Sequence, residues 1–345
     1  MGGKRTITVV LESRTDAIHL YIQSLLSQLG KKGVAVDLIL QNSSVFRNRY
    51  LNLALNLKNT FVLFFQIRKR EIVLFTDPLS LNLLTSLLIS NRKYAIFYHY
   101  DSIPFFYRFL PLIKFKKVLS KLDGLICISN FSHTQLTTLG VGSDKSKVIW
   151  GGVDHEVFKP SSLQTFDFDY ILSIGSEEPR KNMENILRAF QILLQDFPSL
   201  KLVKVGKASS SNRNVTLKFI EELDLVDKVV FLDYVAEKDL PSLYSGARLL
   251  LFPSLIEGLG MPILEAMACG CPVVTSNRSP MADLVDSEEL TADPKNPMDI
   301  SNVCKRILSN ELHRTTIIQK GLARSQQFTW DDTAQQVLEF MLTRN

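Results

Sequence analysis

The chain has 345 residues, of which 46% are hydrophobic and 22% are charged, and its formal net charge is +5. This length and composition exclude a disordered chain and favour two domains of about 150 residues each. Apolar runs stay below the roughly 18 residues of a membrane-spanning helix, and the N-terminus lacks the apolar region of a signal peptide, so we expect a cytoplasmic protein.

The charge is distributed unevenly along the chain. Residues 1–158 carry 20 Lys and Arg against 10 Asp and Glu, whereas the remainder carries 20 against 25. The first half is therefore expected to face something anionic, such as nucleic acid, an anionic membrane or a phosphate-bearing acceptor. Four cysteines lie in apolar segments without Cys-x-x-Cys spacing, which predicts buried free thiols: Cys127, Cys269, Cys271 and Cys304.

Short apolar runs rich in β-branched residues alternate with amphipathic stretches, a pattern typical of parallel sheets with crossover helices. The predicted strands cover residues 6–12, 34–40, 71–77, 94–100, 124–129 and 147–152, and then 170–175, 201–206, 228–234, 247–254 and 271–277. Between the two sets, residues 155–169 have no sustained period and are interpreted as a linker. The prediction is an α/β fold with two Rossmann-like domains in tandem.

The segment IPFFYRFLPLIKFKKVLSKL, residues 103–122, interleaves five basic residues with aromatic ones and has no acidic residue. It allows two interpretations. As a basic amphipathic helix it would lie on an anionic membrane surface. As a crossover helix it would pack its apolar stripe on the first sheet and leave its lysines in solvent.

No G-x-G-x-x-G follows the first strand of either domain, and no P-loop sequence is present, which disfavours dinucleotide-dependent dehydrogenases and P-loop nucleotidases. Asp167 and Asp169 form an Asp-x-Asp, the metal-binding pattern of GT-A transferases. Because this pattern lies in the linker before a strand, we interpret it as chance. We expect no metal and no cofactor.

The segment GSEEPRKNMENILRAF follows the strand that ends at Gly175. Pro179 leads into a helix with Asn182 as its predicted N-cap, and Arg180 and Lys181 lie at the helix start. Free backbone amides, the positive end of the helix dipole and two cations together suit a diphosphate. The alternative is a solvated basic pair.

The segment IEGLGMPILEAMACGCP places Glu257 and Glu265 on either side of a glycine-rich turn. The preceding strand delivers Glu257 to the carboxyl edge of the sheet, where ligands of α/β sheets bind. Pro262 suits the first turn of a helix that Gly270 ends, so Glu265 lies about one turn into it. One ligand can thus be held at two points, with Glu265 suited to a vicinal diol such as a ribose. The alternative for Glu265 is a partner of the helix dipole.

These two segments closely resemble the donor half of the retaining nucleotide-sugar glycosyltransferases of group 1, or family 4, which have the GT-B fold. The resemblance runs from about Leu122 to the C-terminus, and FTWDDTAQQVLEFML resembles the family's final helix. It implies two parallel sheets facing a central cleft. The implied parts are an acceptor-binding domain over 1–158, a donor-binding domain over 159–328 and a helix over 329–345 that crosses back to the first domain.

The resemblance also implies roles for residues. Lys181, with Arg180 beside it, would hold the donor diphosphate, Glu257 would bind the donor sugar, and Glu265 would bind the ribose hydroxyls. Many members have an arginine where Ser176 follows the glycine here, and Arg180 is the candidate to replace it. The other donor-site residues implied are Gly258, Leu259, Gly260, Gly175 and Ser176, with Tyr234 and Val235 near the base.

In the N-terminal half the family often has a His-Asp at a strand end, with the histidine near the donor sugar. The match YDSIP puts Tyr100 in the histidine position, but we favour His99 and Asp101 on one face of the strand. A core histidine with an N-capping aspartate is the alternative. The family's Gly-rich acceptor loop is replaced by ESRTDAIH, which leaves the acceptor site open.

The resemblance implies a metal-independent, retaining transfer of a hexose from a GDP- or UDP-sugar to a glycan or lipid-linked acceptor. With this enzyme class, nucleic acid is no longer expected as a partner, and an anionic membrane surface remains one. Two alternatives stay open: a catalytically silent GT-B protein that acts as a binding or partner subunit, and a GT-A-type transferase that uses Asp167 and Asp169.

Overall fold

The computed structural model describes residues 6–12, 17–41, 71–76, 92–98, 119 and 121–343. The chain divides into two compact units, Met1–Gly151 with Trp330–Asn345, and Gly152–Thr329. The division between Gly151 and Gly152 precedes the domain boundary at residue 158 that the sequence predicts. Val153 accounts for this difference, because its amide donates to the carbonyl of Phe328 at 3.0 Å and it forms a parallel bridge with Thr329.

The described part of the first unit contains a parallel sheet of six strands in the order β2-β1-β3-β4-β5-β6. The strands are β1 Thr6–Glu12, β2 Ala35–Gln41, β3 Ile72–Phe75, β4 Arg92–Phe97, β5 Gly124–Cys127 and β6 Ser146–Val148, and the helices are α1 Ala17–Lys31 and α2 Asn130–Thr138. β3 and β5 are buried along their whole length, as expected of strands covered on both faces.

The second unit contains a parallel sheet of six strands in the order β12-β11-β10-β7-β8-β9. Its strands are β7 Tyr170–Ile174, β8 Lys201–Val205, β9 Val229–Leu232, β10 Leu249–Phe252, β11 Val273–Ser276 and β12 Thr291–Ala292. Its helices are α3 Met183–Leu193, α4 Ser210–Glu222, α5 Leu240–Gly246, α6 Met261–Ala268, α7 Met281–Val285, α8 Pro297–Leu308 and α9 Glu311–Ser325.

The last helix, α10 Trp330–Leu342, belongs to the first unit. Its Phe340 ring lies edge-on to Tyr94 of β4, with ring centroids 5.9 Å apart, and the Tyr94 hydroxyl donates to the carbonyl of Met341 at 2.9 Å. Lys32, just after α1, forms an ion pair with Asp331 at 2.8 Å. The predicted return of the final helix to the first domain is confirmed.

The prediction of an α/β fold with two Rossmann-like sheets is also confirmed. The four cysteines are buried free thiols, and burial raises the pKa of the Cys127 thiol to about 12. In the described part of the chain, no helix combines the length and the apolar character needed to cross a membrane.

Candidate functional site

The strand order of the second unit reverses between β7 and β10, and ligands of open α/β sheets bind beyond the carboxyl ends of the strands at such a reversal. The two strands pair directly, with Leu249 beside Ile171. The loop of residues 175–182 follows β7, and the loop of residues 253–260 follows β10. Both loops therefore leave the same edge of the sheet side by side, and both carry predicted site residues.

Gly175 opens the first loop with a φ of +138°, which L side chains rarely adopt. A Cβ atom at this position would lie 3.2 Å from Cε of Lys181, so the lysine side chain passes close over the glycine. Residues Pro179–Lys181 form a single 3₁₀ turn, and α3 begins only at Met183. Arg180 and Lys181 therefore lie just before α3, at the helix mouth where the sequence places them.

Asn182 occupies the predicted N-cap position of α3, but its side chain makes no capping hydrogen bond. The residue has a left-handed φ of 64°, and its Nδ2 donates to the carbonyls of Pro253 at 2.9 Å and Pro294 at 2.6 Å. The side-chain capping role was thus wrong. Asn182 instead ties the first loop to the second, because Pro253 is the first residue after β10.

Glu257 in the second loop binds both cations of the first. Its Oε1 accepts from Nζ of Lys181 at 2.6 Å, and its Oε2 accepts from Nη1 of Arg180 at 3.1 Å. Arg180 also donates through Nε to Glu178 at 2.8 Å. The two cations are thus balanced by two carboxylates, and no sequence pattern indicates that Glu257 is their partner.

The electrostatics of Lys181 depend on this pairing. Burial lowers the pKa of the lysine, and the nearby Glu257 carboxylate opposes that effect by raising it, while Arg180 lowers it. The side chains of Lys181 and Glu257 are 15% and 9% exposed, whereas that of Arg180 is 37% exposed. Glu257 therefore helps to keep a largely buried ammonium group charged.

Glu265 lies in α6, and its environment differs from that of Glu257. Gly260, with a φ of +98°, precedes the helix, and Gly270, with a φ of +71°, follows it. Oε2 of Glu265 accepts a hydrogen bond of 2.6 Å from the hydroxyl of Tyr244 in α5. Burial raises the pKa of the Glu265 carboxyl to about 7, the Tyr244 hydrogen bond lowers it and Glu237 raises it.

Other predicted donor-site residues lie at the same edge of the sheet. Ser176 follows Gly175 directly, and Leu259 in the second loop is 6% exposed beside Gly258. Tyr234 and Val235 follow β9, which β8 separates from β7. Tyr234 is 85% exposed.

The predicted N-terminal residues His99 and Asp101 lie outside the residues that the structure describes, as does Tyr100. β4 ends at Phe97, so the predicted strand over 94–100 is shifted toward the N-terminus. The basic segment 103–122 also lies almost entirely outside the described residues. Of it, Leu119 and Leu122 are buried in the core of the first unit, as the crossover interpretation expects.

Sequence reasoning missed a second ionic cluster beside the first loop. Glu177 has a side chain with 0% exposure, and its Oε1 accepts from Arg213 of α4 at 2.8 Å. Arg213 also binds Asp233 at 2.8 Å and lies over the ring of Phe231 at 4.1 Å. No local signal links these residues, because α4 approaches the loop only in the folded unit.

Lys204 of β8 completes this second cluster. It is 2% exposed, and its Nζ donates to the carbonyls of Gly175 at 2.5 Å and Val205 at 3.0 Å. Burial lowers its pKa to about 8, and Glu177 partly opposes this effect. The one sequence signal that could have indicated this cluster is the lysine inside the apolar strand KLVKV.

Asp167 and Asp169 precede β7, at the end of the strand opposite to Gly175. Both residues are exposed. Within the described residues, no group of three or more His, Cys, Asp or Glu side chains is arranged to hold a metal ion.

The sequence comparisons with known proteins cover about half of the chain. Residues 155–324 match the family model of glycosyl transferases group 1. The O-antigen chain mannosyltransferase B of Escherichia coli is 35% identical over 169 residues, which are 49% of this chain and 44% of that protein. Mannosylfructose-phosphate synthase of Agrobacterium fabrum is 28% identical over 186 residues, or 51% of this chain and 41% of that protein. The chain thus spans less than half the length of these relatives.

Solved structures match nearly the whole chain at low identity. Anabaena Alr3699/HepE in complex with UDP and glucose has a TM-score of 0.82 at 17% identity, with 98% of this chain and 100% of that chain covered. Sucrose-phosphate synthase from Thermosynechococcus elongatus has a TM-score of 0.79 at 19% identity, with 97% of each chain covered. These similarities establish the GT-B fold. With the matched segment and the loops described above, the second unit of the chain is similar to the glycosyl transferases of group 1.

Proposed function

We propose that the chain is a retaining glycosyltransferase that moves a hexose from a nucleotide diphosphate sugar to an acceptor hydroxyl. The observation that carries this proposal is the pair of cations on the loop after β7, Arg180 and Lys181, held by Glu257 from the loop after β10. The cluster lies where the strand order reverses, the usual place for a ligand in such a sheet. A diphosphate there would meet two fixed positive charges.

The cations can hold a diphosphate without releasing Glu257. An ammonium group has three donors, and Glu257 takes one from Lys181; the guanidinium of Arg180 has five, of which Glu178 and Glu257 each take one. The remaining donors are available to phosphate oxygens. Because Glu257 opposes the effect of burial on the pKa of Lys181, it supports the charge that the leaving nucleotide requires.

In the proposed reaction the bond between the sugar C1 and the diphosphate oxygen breaks as negative charge grows on that oxygen. Lys181 and Arg180 stabilise this charge, which would replace the role of a metal ion. The acceptor hydroxyl attacks C1 from the same face, so that the new bond retains the configuration, and its proton passes to the departing phosphate oxygen. Glu265 would bind the ribose hydroxyls, and Glu257 would also contact the sugar.

GDP-mannose is the proposed donor. Relatives named mannosyltransferases support mannose, while a structure of similar fold contains UDP and glucose, so a UDP-sugar is the competing donor. The experiment is a panel of GDP-, UDP- and ADP-sugars, with labelled sugar and several glycan and lipid-linked acceptors. Transfer from GDP-mannose with the anomeric configuration retained supports the proposal. Nucleotide binding without transfer or hydrolysis across the panel would favour the catalytically silent alternative.

The proposed acceptor is a glycan or a lipid-linked glycan at an anionic membrane surface. Residues 1–158 carry 20 basic against 10 acidic residues, an excess of 10 positive charges. A protein with this positive excess would bind phosphatidylserine vesicles at low salt and would be released when added salt screens the charges. If the protein stays in the supernatant when it is centrifuged with these vesicles at low salt, a soluble acceptor replaces this proposal.

A further inference from the structure

Tyr244 and Glu265 form a side-chain pair that the family resemblance did not include. Tyr244 has 0% exposure, and its hydroxyl donates to Oε2 of Glu265 at 2.6 Å. Its ring lies edge-on to Phe158 with centroids 6.3 Å apart, which fixes the position of the hydroxyl. Among the described residues, no protein donor binds Oε1 of Glu265. Within the described part of the chain, one oxygen of the carboxyl is thus anchored by a protein donor and the other is not.

We propose that Tyr244 is a positioning residue for donor binding: its hydroxyl fixes the carboxylate of Glu265 so that the unbound lone pairs face the ribose diol. This inference rests on the proposed function. A carboxylate oxygen can accept two hydrogen bonds, so Oε2 retains one free position beside Tyr244 and Oε1 retains two. Two vicinal hydroxyls can therefore bind without displacing the tyrosine.

The surroundings of the pair make its role measurable through pH. Burial raises the pKa of Glu265 to about 7, so the carboxyl changes charge near neutral pH. Around it are Tyr244 of α5, Glu237 in the turn before α5, and the Cys269 thiol after α6, while Cys271 faces the tyrosine. Of these groups, the Tyr244 hydroxyl stabilises the ionised carboxylate, which is the better acceptor for a diol.

The test compares Tyr244→Phe with Tyr170→Phe. Both substitutions remove one buried hydroxyl from the second unit, but the Tyr170 hydroxyl donates to the carbonyl of Leu243 at 2.7 Å and not to a carboxylate. The carboxyl carbons of glutamate are labelled with ¹³C, and the Glu265 signal is assigned by its loss in Glu265→Gln. Calorimetry with GDP and UDP is then run across the same pH range.

In Tyr244→Phe the Glu265 titration should move to higher pH by about one unit, because the ionised form loses a hydrogen bond from a neutral donor. The pH at which nucleotide affinity falls should move by the same amount, and affinity at pH 7 should drop several-fold. Tyr170→Phe should titrate like the wild type. An unchanged Glu265 titration in Tyr244→Phe overturns the inference whether or not nucleotide binds.

The inference can fail while the proposed function stands, and the experiment distinguishes the two failures. If the titration moves but the affinity of the nucleotide does not follow it, Tyr244 sets the charge of Glu265 without positioning a donor, and the inference is overturned while transferase activity remains. If the wild-type protein binds no nucleotide of the panel, the proposed function fails and the inference fails with it.

Discussion

Two ionic clusters lie side by side at the carboxyl edge of the second sheet, and they use the same kinds of residue differently. In the first, Glu257 pairs with Lys181 and Arg180. In the second, Glu177 pairs with Arg213, and Lys204 lies nearby. Each cluster thus combines a buried glutamate, an arginine and a lysine, of which Lys204 is buried and Lys181 largely buried. Each arginine binds two carboxylates, so what differs is how many donors of the lysine already have protein partners.

In the second cluster the cations are committed to the protein. Arg213 is shared by Glu177 and Asp233 and lies on Phe231, and Lys204 donates to two backbone carbonyls. The role of the second cluster is therefore structural, because it holds the start of the first loop in place. In the first cluster, Lys181 has one carboxylate partner and lies at the crossing of two loops. The comparison indicates that donors without protein partners, rather than charge alone, distinguish a ligand site from a structural ion pair.

The largest expected effect comes from Lys181→Ala. Turnover should fall by on the order of 10²-fold or more, because the ammonium group acts on charge that grows in the transition state. Stability should change much less, since Arg180 at 3.1 Å still balances Glu257. The measurement is kcat with the donor that the panel identifies, together with urea denaturation of the same samples.

The matched control for this prediction is Lys228→Ala. Lys228 also donates from Nζ, to the carbonyl of Pro198 at 2.7 Å, but it lies before β9, at the opposite edge of the sheet. It should leave kcat within about twofold, as expected of a surface position away from the site. Unchanged turnover in Lys181→Ala would remove the first cluster from the chemistry.

The sequence could predict the sheets and the loops but not the partners of the charged groups. β1 coincides with its predicted span at Thr6–Glu12, because a short apolar run rich in β-branched residues is enough to indicate a buried strand. The pairing of Arg213 with Glu177 spans 36 positions, and that of Tyr244 with Glu265 spans 21. Such contacts depend on where separate helices pack, which no local pattern records. For the same reason no sequence pattern indicated that Glu257 binds the two cations, while its contact with the donor sugar stays a prediction.

The second prediction concerns Arg213→Ala, which should lower the free energy of unfolding by about 3 kcal/mol. The substitution leaves the Glu177 carboxylate buried without its arginine, and Oε2 of Glu177 already has no hydrogen-bond partner among the described residues. The measurement is urea denaturation near neutral pH. Turnover per folded molecule should fall less than in Lys181→Ala.

Arg188→Ala provides the control for this second cluster. Arg188 also pairs with a carboxylate, Glu184 at 3.0 Å, and also lies over a ring, that of Phe219 at 5.6 Å. However, the two charged side chains are 43% and 48% exposed, so their loss should cost less than about 1 kcal/mol. Equal losses in Arg213→Ala and Arg188→Ala would contradict the structural role of the second cluster.

The smallest expected effect appears as a pH dependence of stability due to Lys204. Its pKa in the folded protein is about 8, below the ordinary value of 10.5, so folding disfavours the charged form. Below pH 8 both states carry the proton, and the folded state bears the full cost. Above pH 8 the folded state releases the proton before the unfolded state does, and the free energy of unfolding rises.

The wild type should therefore gain about 2 kcal/mol relative to Lys204→Met between about pH 7 and about pH 9.5. Urea denaturation of both proteins across this range measures the difference, in which contributions from other groups cancel. If the two curves run parallel, Lys204 keeps the same charge in both states, and the second cluster then contains a permanently charged lysine.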